Sequence, residues 1–194
     1  MNKKFAIIVA AAFAACSSTF APVQAQTGAD EARMEEQREA LAPLVSMLQG
    51  HWRGTAETRT PAGAASLIQT ERVGPMLDGT IVVIEGRGHA ADGTMPFNAF
   101  AVVSFDPDKD EYRIRSWANG RGGDFPLWLT DTGFRWEIPA GPATIRYVAT
   151  VEGNSWREIG TYEREDMEPM TIVDMTLEKI GETEWPLEGA VLPE

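Results

Sequence analysis

Two residue types that carry much of protein chemistry are nearly missing from this sequence. It has one cysteine, Cys16, and two histidines, His51 and His89. One cysteine cannot close a disulfide within the chain or build a thiolate metal site. The histidines form no His-x-x-x-His or Glu-x-x-His pairing, so a histidine zinc site has no support. There is no Gly-x-Ser-x-Gly, and no histidine follows His89, which removes the serine-hydrolase arrangement of nucleophile and base. Positive charge is scarce as well: 17 Lys and Arg face 29 Asp and Glu, a net charge of −12. Such a chain has no electrostatic footprint for nucleic acid and no basic patch for an anionic membrane surface. Long apolar runs are also lacking. The unbroken run Phe5 to Ala15 is shorter than the roughly 20 residues a spanning helix needs, so no membrane span is expected.

That run sits where a targeting segment would. Lys3 and Lys4 precede it, and Val23-Gln24-Ala25 places small residues at the −3 and −1 positions of a cleavage site. Residues 1–25 therefore read as a signal peptide, and the expected mature chain is periplasmic or secreted and begins at Gln26. A second processing site competes. Phe13-Ala14-Ala15-Cys16 resembles a bacterial lipobox with Phe13 where leucine is usual, and its use would give a lipoprotein anchored through Cys16. A chain cut after Ala25 loses its only cysteine, so its stability has to come from a packed core.

The remaining text supplies one. The hydrophobic fraction is 43% and the aromatic fraction 9%, values of a globular domain. Residues 26–40 are polar and charged, a tether or a loosely docked helix. Leu41, Leu44, Val45 and Leu48 then fall on one helical stripe, with Pro43 suited to a first turn and Gly50 to a stop. This predicts a short helix of about two turns. From His51 onward, turn signals such as Asp78-Gly79, Asp92-Gly93, Asp131-Thr132-Gly133 and Gly153-Asn154 recur every 8–12 residues or so. Between them lie alternating β-branched and aromatic runs, as in Ile145-Tyr147-Ala149-Val151 against Thr144-Arg146-Val148-Thr150. Ten strands are expected, near 51–60, 64–73, 80–89, 95–105, 110–118, 124–130, 133–138, 143–152, 155–164 and 169–180. Short links favour an up-and-down meander, and closure into a barrel removes its exposed edges. The fold class is thus an all-β antiparallel barrel over residues 41–180 with a short N-terminal helix. Residues 181–194 form a tail that Trp185 and Leu187 can pin.

The run Leu48-Gln49-Gly50-His51-Trp52-Arg53-Gly54 fits the Gly-x-Trp opening of calycin-type barrels. Pro61-x-Gly63, Leu77-Asp78-Gly79, Phe105-Asp106-Pro107, and Tyr112 with Trp117 follow in order. Together they resemble an uncharacterised bacterial family of calycin-like barrels, catalogued as a domain of unknown function. The resemblance implies a barrel whose closed end is plugged by Trp52 beside the Leu41–Leu48 helix. It implies no activity, substrate or catalytic residue. The related nitrobindins hold haem through a histidine late in the chain, which this sequence lacks. No cofactor is expected.

Two motif-like runs have plainer explanations. Gly86-x-Gly88-x-x-Ala91 follows a strand as a dinucleotide fingerprint does, but another strand follows instead of the helix such a site needs. Its glycines are read as relief for strand twist or a bulge. Asp106, Asp108 and Asp110 are spaced as in a calcium loop, but Glu111 and Trp117 occupy the positions that require Gly and Glu. A solvated hairpin turn is expected there.

What remains is polar and aromatic side chains on barrel strands. Glu85 shares a face with Ile81 and Val83, which ought to be buried, and with His89. Arg113, Arg115 and Trp117 share another face, and of Arg146 and Tyr147 one points inward. The candidate ligand-binding residues are Glu85, His89, Arg115, Trp117, Trp136 and Arg146, with Glu85 and Arg115 expected to pair inside the lumen. Trp52, Gly50 and Gly54 are expected to be structural, the glycines making room for the indole. Trp52, Trp117, Trp128, Trp136 and Trp156 are available for an aromatic wall. The leading functional expectation is an exported binding protein for a small, largely apolar or amphipathic molecule. The alternatives are a cavity enzyme using Glu85 or His89 as acid/base, and a filled structural envelope domain.

Overall fold

The computed structural model describes residues 23–60 and 63–187. The first 22 residues, with Cys16 and most of the expected signal peptide, lie outside the described residues, as does the end of the tail. One helix, α1 (Val23–Leu48), is followed by ten strands: β1 (Gly50–Thr60), β2 (Gly63–Met76), β3 (Ile81–His89), β4 (Phe97–Asp106), β5 (Glu111–Ala118), β6 (Arg121–Thr130), β7 (Gly133–Ala140), β8 (Ala143–Glu152), β9 (Ser155–Arg164) and β10 (Met170–Gly181). Each strand pairs antiparallel with the next, and β1 pairs with β10 to close the barrel. All ten expected strands are present.

The helix is much longer than two turns, because the segment expected as a tether or a loosely docked helix is helical and docked. Its side chains reach the β4–β5 hairpin. Arg33 bonds Asp108 at 2.7 Å and Asp106 at 3.4 Å, and Gln37 Nε2 donates to the Phe105 carbonyl at 3.2 Å. Tyr112 donates its hydroxyl to the Ala40 carbonyl at 2.8 Å. The three aspartates that mimic a calcium loop therefore form a hairpin turn, two of them tied to the helix. The helix runs through Pro43 rather than starting there. Its last turns bring Leu41, Leu44 and Leu48 into the barrel end, where they are fully buried with Trp52, Val73, Val82 and Leu177.

Trp52 is the plug the resemblance implies. It is 1% exposed, stands edge-on to Trp156 at 5.7 Å, and donates its indole N–H to the Leu48 carbonyl at 2.7 Å. That bond satisfies a carbonyl at the helix C-terminus, which has no intrahelical partner. The glycines beside it serve a different contact from the one expected. A side chain at Gly50 or Gly54 would collide with β10, against Lys179 and Gly181 or against the Thr176 backbone. They allow barrel closure rather than indole packing.

The β5–β6 connection fixes an important register. Asn119 and Gly120 take φ of 50° and 78°, the left-handed pair of a two-residue hairpin turn. Ala118 pairs with Arg121 directly, and the ladder runs to Tyr112–Leu127 without a bulge. Residues of one parity on β5 therefore all face the same way.

Candidate functional site

Above the Trp52 layer the barrel is hollow. The lumen encloses about 570 Å³ and opens at the end away from α1. Its wall is mostly apolar, with Leu67, Ile84, Ala101, Ile114, Ile138 and Met175 pointing in. The volume lies in the range of small-molecule sites, roughly 300–1,000 Å³.

The floor of this cavity is polar. Glu71 on β2 pairs in register with Trp52, and the carboxyl is buried just above the plug. Gln69, two residues along the same face, donates from Nε2 to Glu71 Oε1 at 2.7 Å. Glu158 enters from β9, two residues after Trp156, and accepts a 3.4 Å hydrogen bond on Oε1 from the Trp136 indole. Trp136 and Tyr147 stack in the wall, with ring centroids 4.3 Å apart and planes 11° apart. The buried Trp156 Nε1 makes no well-formed hydrogen bond among the described residues.

Burial governs the ionisation of this floor. Loss of water pushes the Glu71 carboxyl up to about 8; the Gln69 bond opposes the rise, and Glu158 and Glu85 add to it. Burial likewise pushes Glu158 up to about 7, against the pull of the Trp136 and Trp156 N–H groups. Tyr147 is raised to about 12, first by burial and then by Glu158. A protonated carboxyl can donate a hydrogen bond, and an ionised one can hold a cation.

Room for the Glu71 carboxyl comes from β3. A Cβ on Gly86 would stand 2.6 Å from Glu71 Oε1, and one on Gly88 would stand 2.9 Å from Gln69 Oε1. The β2–β3 and β3–β4 ladders run past both glycines without a register shift. These glycines therefore open space for the polar floor, in place of the twist or bulge expected.

The expected site residues divide sharply. Trp136 lines the lumen, while Glu85, His89, Arg115, Trp117 and Arg146 stand on the outer face. Glu85 is held outside by hydrogen bonds from Arg72 and Arg87. Burial alone would raise its carboxyl, but those two guanidinium groups bring it below the usual range. Arg146 lies between Glu137 and Glu163, each at 2.9 Å. Arg115 lies over Trp117, 6.0 Å from the ring centre, and Trp117 is 45% exposed beside Phe100. The expected Glu85–Arg115 pair inside the barrel is thus overturned. The reason is parity: Val82 and Ile84 face inward on β3, and Ile114 and Ser116 on β5. Of the aromatic wall, Trp136 and Trp156 are internal, whereas Trp128 is outside under Arg135, 3.9 Å from its ring centre. Neither His51 nor His89 lines the lumen. Among the described residues, no group of three His, Cys, Asp or Glu side chains could hold a metal ion.

Sequence reasoning missed Gln69, Glu71 and Glu158, and set Tyr147 only as the alternative to Arg146. The signal that could have found Glu71 was the pair of glycines, Gly86 and Gly88, in phase with Val82 and Ile84.

No helix among the described residues is long and apolar enough to cross a membrane. No family model matches the chain, and no curated protein does. Among solved structures, the crystal structure of Rv2717c from M. tuberculosis is similar, with a TM-score of 0.54 at 11% identity. The match covers 72% of this chain and 96% of that one. At that identity the likeness is one of fold: this chain is a closed ten-stranded antiparallel barrel that shares its architecture with Rv2717c.

Proposed function

We propose that the protein is an exported binding protein whose barrel lumen holds one small, largely apolar ligand. The observation that carries this reading is the lumen itself: about 570 Å³, apolar around its wall, closed at one end and open at the other. Burying apolar ligand surface there contributes roughly 25 cal/mol per Å² before the costs of association. A filled structural barrel would leave no such volume. The acid/base alternative named Glu85 or His89, which face away from the lumen; acid/base chemistry there would have to use Glu71 or Glu158 instead. The resemblance to uncharacterised calycin-like barrels accords with a ligand cavity and adds no chemistry.

Native mass spectrometry with added n-octanol tests the reading. The expected result is a one-to-one complex that disappears in Ala99→Trp, which fills the lumen from β4. A complex that persists in Ala99→Trp, or none in the wild type, would contradict it. Export is supported by residues 1–25 of the sequence and is tested by intact mass after expression in a bacterial host. A chain beginning at Gln26 is expected. A mass for a diacylated Cys16 terminus would place the protein on a membrane through its lipid instead.

A further inference from the structure

We propose that the lumen selects a lipophilic amine, with its ammonium group held by Glu71 and Glu158 and its apolar body directed toward the mouth. This rests on the binding reading above and adds the chemistry of the ligand head. Three features of the floor support it.

The first is charge. The titratable groups facing the floor are Glu71 from β2, Glu158 from β9 and Tyr147 from β8, with Glu85 behind the β3 wall. Among the described residues that line the lumen, the only Lys, Arg or His is Arg59, exposed near the open end of β1. Two carboxyl groups thus share a poorly hydrated floor with no cation on its lumen side among the described residues; Arg72, Arg87 and His51 share with Glu71 a pocket on the outer side, where both guanidinium groups are engaged by Glu85. Buried unpaired charge is costly, and a bound cation offsets that cost. The net charge of −12 also draws cations toward the molecule as a whole.

The second is hydrogen-bonding capacity. Gln69 and Trp136 each engage an Oε1, on Glu71 and Glu158 respectively. Neither Oε2 takes a well-formed hydrogen bond among the described residues, although the Trp156 N–H is near enough to Glu158 to pull on its carboxyl, and an ammonium group offers three donors. Above about pH 8, where both carboxyls are ionised, a carboxylate ligand would meet two groups of its own sign. An alcohol would gain one hydrogen bond and no charge pairing. The third is the stacked Trp136–Tyr147 pair beside Glu158, since aromatic faces attract cations.

The binding is coupled to protons. The raised carboxyls hold protons near neutrality in the empty lumen, so an entering ammonium ion displaces them. Affinity for an amine therefore rises as pH increases through about 7 and about 8, while the amine itself stays charged.

The test compares n-octylamine, n-octanol and n-octanoate by calorimetric titration of the full chain, at a pH just above the Glu71 value of about 8. These probes share one chain and differ in the head. Octylamine is expected to bind about tenfold or more tighter than octanol, with octanoate weakest. Glu71→Gln/Glu158→Gln should bring octylamine affinity down to about that of octanol, so that the preference for the amine is lost. Glu158→Gln alone, at the more accessible carboxyl, should lose part of it and guards against misfolding of the double variant. Equal binding of amine and alcohol, a preference for octanoate, or an amine preference that survives the double substitution would overturn the proposal. With octanol still bound, the lumen reading would stand. Loss of octanol binding in the wild type would remove both.

Discussion

Glu71 shows how one side chain sets a measurable property of the whole. Its ordinary carboxyl value is 4.5, and burial takes it to about 8 in the folded barrel. The folded state then binds the proton more tightly than the unfolded chain. Its contribution to stability is complete below about 4.5 and is lost as pH rises through about 8. Glu158, raised to about 7, acts in the same direction but more weakly, because it is partly accessible from the lumen. Glu85 acts oppositely: its lowered value adds stability above the unfolded value, lost as pH falls through the folded one. Chemical denaturation should show stability falling between about pH 4.5 and 8, by on the order of a few kcal/mol. Glu71→Gln/Glu158→Gln should flatten that fall. A wild-type stability that rises over the same range would contradict the buried placement. Trp52 gives a second prediction at this scale. It is fully buried, packs edge-on against Trp156 and caps the helix carbonyl, so Trp52→Ala should cost about 3–5 kcal/mol. An unchanged unfolding midpoint would rule out its role as the plug.

Single strands show what was legible in the sequence and what was not. The turns were legible because Asp-Gly, Asn-Gly and Gly-Asn pairs mark backbone that other residues adopt at a cost; they stand at the β2–β3, β3–β4, β5–β6 and β8–β9 links, and Gly, Pro or Asp clusters mark others. Strand parity was not legible on β3. Ile81, Val83 and Glu85 share one face, and burial of Val83 suggested that face was the core. Val83 is indeed buried, at 2% exposure, but from outside. It pairs with Gly74, where a side chain would collide with the Trp185 backbone of the C-terminal segment. An outer face covered at one end by the tail carries apolar residues on both parities, and alternation then loses its meaning. On β2 the run Gln69-Thr70-Glu71-Arg72 is polar on both faces, so nothing local marks Glu71 as internal. The glycines facing it do. Gly86→Ala should change unfolding free energy by less than about 1 kcal/mol, since the contact it makes is with the end of a flexible side chain. It should also push the Glu71 carboxyl toward lumen water and shrink the fall in stability between about pH 4.5 and 8. A midpoint lowered as far as in Trp52→Ala would show instead that Gly86 packs against something rigid.

At the scale of the whole molecule, closure is the organising fact. Ten antiparallel strands leave no free edge, and α1 with Trp52 stops one end. Polar residues then have two destinations. Most go outside, where Arg72, Arg87, Arg113, Arg146, Arg157 and Arg164 pair with carboxylates on the barrel surface. A few, led by Glu71 and Glu158, go to the floor of the lumen, where apolar residues would have been the cheaper choice for stability alone. The division explains why the charges most prominent in the sequence were not those of the site. The claim that the lumen is the binding site is tested most directly by methyl NMR during titration with n-octanol. The account predicts saturable shifts at Leu67, Ile84, Ile114 and Ile138 in the wall, with Leu41 and Leu44 in the plug and Ile180 outside left unmoved. Shifts confined to Ile180 and other outer methyls, with the wall silent, would contradict it.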